Sequence, residues 1–256
     1  MKRWFLISLA FLLALTMVVA ITFPAAVAWR WWGAQAPEIA LQGINGTVWS
    51  GEAGRFSVRG QHLGRLRWTI SPWRLWNGEV TARLAVDGPG LKLSGTIRKL
   101  EDGGTRIAEL DGEAQGSWLG PALAIPVLEP TGRLVISDGS LHLDRDGLPR
   151  DVDVRVVWHE AGVRGQVVAR FGTITIAARG NDGRIGMTIE DAGDGELEVK
   201  GKVDLDQRNY RSEIVLAPRT SEGPVVEALK WIGAARPEGG RLLLIEGHIL
   251  LPEKQP

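Results

Sequence analysis

The chain has 256 residues, 33 of them glycine, 11 tryptophan and none cysteine. Lysine and arginine together number 30 and so do aspartate and glutamate, so no net field gathers nucleic acid or an acidic substrate. The missing thiols exclude disulfides, thiolate metal sites and cysteine nucleophiles. Glycine at nearly twice the usual share of about 7%, without a collagen period, points instead to many tight turns.

From Phe5 to Ala28 the sequence carries 24 residues without a charge. As a helix this stretch extends about 36 Å at 1.5 Å per residue, more than the roughly 30 Å hydrocarbon core of a bilayer. Lys2 and Arg3 precede it, and no acidic residue occurs before Glu38. The charge asymmetry predicts an N-terminus in the cytoplasm and the remainder in the periplasm. Residues 1–32 are therefore read as a single-pass membrane anchor. Its apolar and belt residues include Trp4, Phe5, Phe11, Phe23, Trp29, Trp31 and Trp32. The competing reading is a signal peptide cleaved after Ala28, since Ala26-Val27-Ala28 has the small-x-small form. The apolar run Phe5–Phe23, at 19 residues, exceeds the 7–15 usual for such a segment, which favours the anchor.

Residues 37–256 alternate apolar and polar side chains with period two. Leu197, Val199, Gly201, Val203 and Leu205 stand against Glu198, Lys200, Lys202 and Asp204, which is a strand with one apolar and one charged face. Val80 to Val86 and Leu91 to Ile97 repeat the pattern across a short turn and read as a hairpin. Seven Asp-Gly pairs, at Asp87, Asp102, Asp111, Asp138, Asp146, Asp182 and Asp194, suit tight hairpin turns. Ser137–Ser140 is expected to be one such turn. Separate strands are predicted over Val152–Trp158, Val163–Arg170, Thr173–Ala178 and Arg184–Ile189, then Ser212–Ala217 and Arg241–Leu250. Two short helices are predicted, one turn at Pro72–Trp76 and a longer one over Glu222–Ile232 closed by Gly233. Pro121, Pro126 and Pro130 predict a corner between two halves at 118–131. The fold class is mainly β: an N-terminal transmembrane helix, then an antiparallel meander forming a curled sheet, half-barrel or groove. If that apolar face stays open rather than curling on itself, it needs a cover, either a partner protein or lipid.

Chemistry-bearing clusters are sparse. His62, His142, His159 and His248 lack a second ligand at helical spacing. Asp144-Arg145-Asp146-Gly147 is an acidic turn without the closing glutamate of a calcium loop. No nucleophile elbow, phosphate loop or dinucleotide fingerprint is present. The chain is read as no enzyme, with no cofactor and no metal.

Two segments carry a family pattern. One joins Gly46, Thr47, Trp49, Ser50 and Gly51 to Gly64, Leu66, Trp68 and Pro72, within G-T-V-W-S-G-x-A and L-G-x-L-x-W-x-x-x-P. The other is Tyr210–Pro218 with Val226–Gly233 and Gly240–Gly247. Together with the N-terminal anchor they resemble the type II secretion system protein N family. The resemblance implies an accessory inner-membrane part of the apparatus that exports folded proteins across the outer membrane, with other secretion components as partners. A weaker architectural similarity to AsmA-type envelope proteins implies, as the alternative, a periplasmic lipid-binding or lipid-transfer module. By the residues alone, Trp49 and Trp68 read as core side chains beside glycines. Trp73 and Trp76 are candidate contacts to a partner or the membrane surface.

Overall fold

A computed structural model describes residues 2–72, 80–120, 128–206 and 209–248; the side chains at 2, 3, 5–8, 10, 13, 14 and 248 lie outside that description. The chain is mainly β, as expected. Among the described residues the strands number fourteen, all antiparallel in a sheet arrangement that is not closed, and within each compact unit neighbours follow chain order except that the last two strands exchange places. Contacts divide the chain into two compact units, Met1–Pro89 and Gly90–Pro256.

The first unit opens with α1 (Lys2–Thr22) and α2 (Ala25–Trp32), a 3-10 turn over Gly33–Gln35, and the strands β1 (Ile39–Gly46), β2 (Ser50–Val58), β3 (Gln61–Ile70) and β4 (Val80–Gly88). Pro24 separates the helices with φ −68° and ψ 131°, the extended geometry that its fixed ring permits. The turn expected at Pro72–Trp76 lies outside the described residues from 73 onward, and with it Trp73 and Trp76. Among the described residues, no helix is long and apolar enough to cross a membrane.

The second unit contains β5 (Leu91–Lys99), β6 (Thr105–Gln115), β7 (Leu128–Leu143), β8 (Pro149–Gly165), β9 (Ala169–Asn181), β10 (Arg184–Asp191), β11 (Leu197–Asp206) and β12 (Asn209–Pro218). A short helix α3 (Pro224–Leu229), a two-residue strand β13 (Ala234–Ala235) and β14 (Arg241–His248) complete it. Register aligns the apolar positions of nine strands into one transverse row: Leu93, Gly112, Ile136, Val156, Ile176, Ile189, Gly201, Ile214 and Leu243. Because side chains alternate, one slipped residue would turn a strand's whole apolar set outward, and the row holds every strand in register. On the other face, opposite charges meet, as at Lys92 with Glu113 and Glu190 with Lys200. Each such cross-strand pair contributes roughly 0.2–1 kcal/mol.

The apolar face is closed at one end by α3. Val225 and Ala228 are fully buried and Leu229 is nearly so, against a cluster that includes Trp158, Phe171, Leu197 and Leu216. Trp158 satisfies its indole N–H by donating to the Thr131 carbonyl at 2.8 Å, so the largest core side chain leaves no donor orphaned. The helix is shorter than the expected Glu222–Ile232: it starts at Pro224, a residue preorganised for a first turn. After Leu229 it tightens into bonds from Lys230, Trp231 and Ile232 to carbonyls three residues back. Gly233 follows with φ 61°, the left-handed stop that was expected.

Three expectations are corrected. Ser137–Ser140 is no turn: β7 runs through it, with Asp138 at φ 49° as a bulge residue. Both flanks keep the same neighbours, β6 and β8, on either side of the irregularity. The Asp138 N–H that the bulge displaces donates to the Asp111 carboxylate at 2.9 Å, so two of the Asp-Gly pairs build one bulge inside the sheet. Second, Val152–Trp158 and Val163 belong to one strand, β8, bulged at Glu160 with φ 51°, while Arg170 and Thr173–Ala178 belong to β9. Third, Pro130 is the third residue of β7 and pairs with Val163 of β8. Pairing of β7 with β6 begins at Arg133, so the missing proline N–H interrupts no ladder there. Of the Asp-Gly pairs, Asp182-Gly183 does form the tight turn, with φ 50° and 81°, as a type I′ hairpin requires.

Candidate functional site

Of the N-terminal signature, Gly46, Thr47, Trp49, Ser50, Gly51 and Trp68 come together at the junction between α1 and the strands of the first unit, whereas Gly64 sits against Asp87 and Gly88 and Pro72 follows β3. In a continuing helix the Ala20 carbonyl would accept from the residue four positions on, but that residue is Pro24, which has no N–H. The Trp49 indole fills the gap, donating to Ala20 O at 2.7 Å. Beside it the Val48 N–H donates to Phe23 O at 3.0 Å, and Pro24 bridges to Thr47. Trp49 therefore caps an orphaned helix carbonyl, a role beyond the core packing that spacing suggested.

Thr47, Ser50, Gly51 and Trp68 shape this loop. Thr47 N–H and the Ser50 carbonyl close it at 2.9 Å. Trp68 lies across β2 and donates to the carbonyls of Thr47 and Val48, each at 3.2 Å. Gly51 is its cross-strand partner, and a Cβ there would come within 2.5 Å of both the Trp68 ring and the Asn45 carbonyl oxygen. Only glycine leaves that space. Gly46 ends β1 at φ 91° and Gly64 enters β3's bulged register at φ 120°. Leu66 is buried beside fully buried Ala53, and Pro72 stands exposed just after β3.

Helix α2 was not foreseen as a separate element. Ala25, Ala28, Trp29 and Trp32 fall on one stripe of it, at the spacing of an amphipathic helix. They overhang a cavity of about 310 Å³, open to the outside, whose floor is made by Leu41, Ile44, Leu66, Trp68, Ile70 and Leu84. Every lining residue is apolar. The spacing was legible in the sequence; the surrounding apolar run concealed it. Away from the sheet, Arg30 and Trp31 are exposed, with Trp31 at 64% and its ring 5.8 Å from that of Phe23. Of the seven residues assigned to the anchor, Trp29 turns inward to the sheet, Phe23 is half-buried, and Trp4, Phe11, Trp31 and Trp32 are exposed. The side chain of Phe5 lies outside the described set.

The described part of α1 is apolar on every side. Phe11, Leu12, Leu15, Met17, Val18, Val19 and Ile21 are all exposed. Thr16 and Thr22 turn their hydroxyls back onto the carbonyls of Leu12 and Val18 at 2.8 and 2.7 Å, so neither hydroxyl needs water.

Titratable groups elsewhere serve the fold. His142 Nδ1 meets the Asp151 carboxylate at 2.9 Å, and that contact, with the Asp182 N–H, holds Asp151 below the usual carboxylate range. Asp144 accepts from the N–H groups of Asp146 and Leu148 and closes its own turn. Burial raises the Asp191 pKa, but the N–H groups of Val199 and Gly193 and the guanidinium of Arg219 outweigh it and hold the carboxyl low. Among the described residues, no group of three or more histidine, aspartate or glutamate side chains is placed to hold a metal.

Comparison with known proteins agrees with the family resemblance. A type II secretion system protein N from Aeromonas hydrophila is 31% identical over 99 residues, covering 38% of this chain and 39% of that protein. The match thus spans about two fifths of the relative's length. No solved structure matches. The model of the family described as type II secretion system (T2SS), protein N, matches residues 37–243, and the chain belongs to that family.

Proposed function

We propose that this accessory component of type II secretion is anchored in the inner membrane by α1 and carries its sheet in the periplasm. There it holds other membrane-bound secretion components or their cargo in place. The observation that carries the reading is the fastening of α1 to the signature loop through Trp49 and Val48. A helix that is apolar all round belongs in hydrocarbon, and the complete sequence Phe5–Thr22 supplies 18 uncharged residues for it, the lower range of a span. Lys2 and Arg3 on one side set the orientation by the positive-inside tendency. Tethering raises the effective concentration toward other anchored components without strong pairwise affinity. The signature residues gathered at the junction, among them Gly46, Gly51, Trp49 and Trp68, shape and fasten backbone, which suits a scaffold.

The test is deletion of the gene in a strain with an active type II pathway, followed by an assay of exported proteins and site-specific crosslinking from the sheet. Reduced export, restored by the full chain but not by a chain lacking residues 1–32, is expected. Normal export together with no crosslink to any secretion component overturns the reading.

A further inference from the structure

The cavity beneath α2 lies where the signature loop grips the last turn of α1, so it shares its position with the end of the membrane-embedded segment in the reading above, on which this inference rests. Its volume of about 310 Å³ falls at the lower end of small-ligand sites, roughly 300–1,000 Å³. Walls such as Ala28, Leu41, Ile44 and Leu84 offer water no hydrogen bond. An apolar occupant removes that wall area from water, at about 25 cal/mol per Å². The apolar species present at this level, at saturating concentration, is the hydrocarbon that surrounds α1. Outside the cavity, α2 exposes Arg30 and Trp31, and no acidic residue occurs before Glu38. That cation and aromatic edge suit a phosphate headgroup at the bilayer surface.

We propose that the cavity takes one acyl chain of a phospholipid from the surrounding leaflet, with α2 overhanging it and Arg30 beside the headgroup. Bound lipid would brace α2 against β1–β4 and make the setting of the sheet on the membrane sensitive to the lipid.

The experiment uses the full chain reconstituted in vesicles of phosphatidylethanolamine and phosphatidylglycerol, with a tracer phospholipid bearing a diazirine at the end of one acyl chain. After irradiation the adducts are mapped by peptide mass spectrometry. Adducts are expected on α1 and, separately, on the cavity floor in β1, β3 and β4. Leu84→Trp and Ala28→Leu each narrow the cavity from a different side, by the room of about two methylenes or more. Filling the room of two methylenes weakens binding more than about tenfold, at about fourfold per methylene. Either variant should therefore reduce the floor adducts about tenfold while leaving those on α1 unchanged. Adducts confined to α1 overturn the acyl site and leave the anchor standing. So do floor adducts that neither variant reduces. A protein captured by a photoreactive residue placed at Leu84, in place of lipid, also overturns it. No adduct on α1, with release of the protein from vesicles by alkaline carbonate, overturns the anchor itself.

Discussion

Replacing Trp49 by phenylalanine keeps the apolar ring and removes the indole N–H that reaches Ala20 O at 2.7 Å. The carbonyl cannot recover a helical partner, because residue 24 is proline. Where water replaces the donor, the loss is that of an ordinary hydrogen bond, about 0.5–1.5 kcal/mol. Where the carbonyl faces hydrocarbon instead, leaving it unmade costs about 1–3 kcal/mol. A loss of about 1.4 kcal/mol corresponds to a tenfold change in the opening equilibrium. Hydrogen exchange of the full chain in detergent micelles reads this directly. The neighbouring Val48 N–H, bonded to Phe23 O, should exchange about tenfold faster in Trp49→Phe, whereas amides in β8 and β9 keep their protection. Trp68→Phe removes the bonds from β3 to the loop carbonyls of Thr47 and Val48, leaves the contact to α1 in place, and should affect the Val48 N–H less. An unchanged Val48 exchange rate in Trp49→Phe would refute the capping role.

Three further outcomes test the second unit. Leu229→Ala empties a site 3% exposed under α3 and should lower stability by about 2–5 kcal/mol, read as a urea midpoint shift by tryptophan fluorescence. Gly172→Ala forces a side chain onto φ 93° within 2.7 Å of Gly195 and should cost on the order of 1–3 kcal/mol, visible as a lower melting temperature. Asp191 has its folded pKa held below the ordinary value by Val199, Arg219 and Gly193. A depressed carboxylate stabilises above the unfolded pKa of about 3.9 and loses that contribution as pH falls through the folded value. Asp191→Asn should therefore be less stable than the parent at pH 7, and the two should converge on acidification below about pH 4; a gap that stays constant down to pH 2 would count against the assignment.

Features that depend only on neighbours along the chain were readable before folding. Period-two alternation marked β11 face by face, and the buried Leu197 and Val199 against exposed Lys200 and Lys202 follow from that spacing alone. The signature residues were legible as a group for the same reason. Tertiary structure decided what depends on contacts across distant segments. Asp182-Gly183 and Asp138-Gly139 carry the same dipeptide, yet one turns the chain and the other bulges a continuous strand. The difference lies in whether partners wait on both sides, as β6 and β8 do for β7. Likewise Trp49 looked like a packing residue until Ala20, 29 positions earlier, came within 2.7 Å of it. A missing proline N–H is visible in any sequence; which donor takes its place is settled by folding, because hydrogen bonds follow proximity in space.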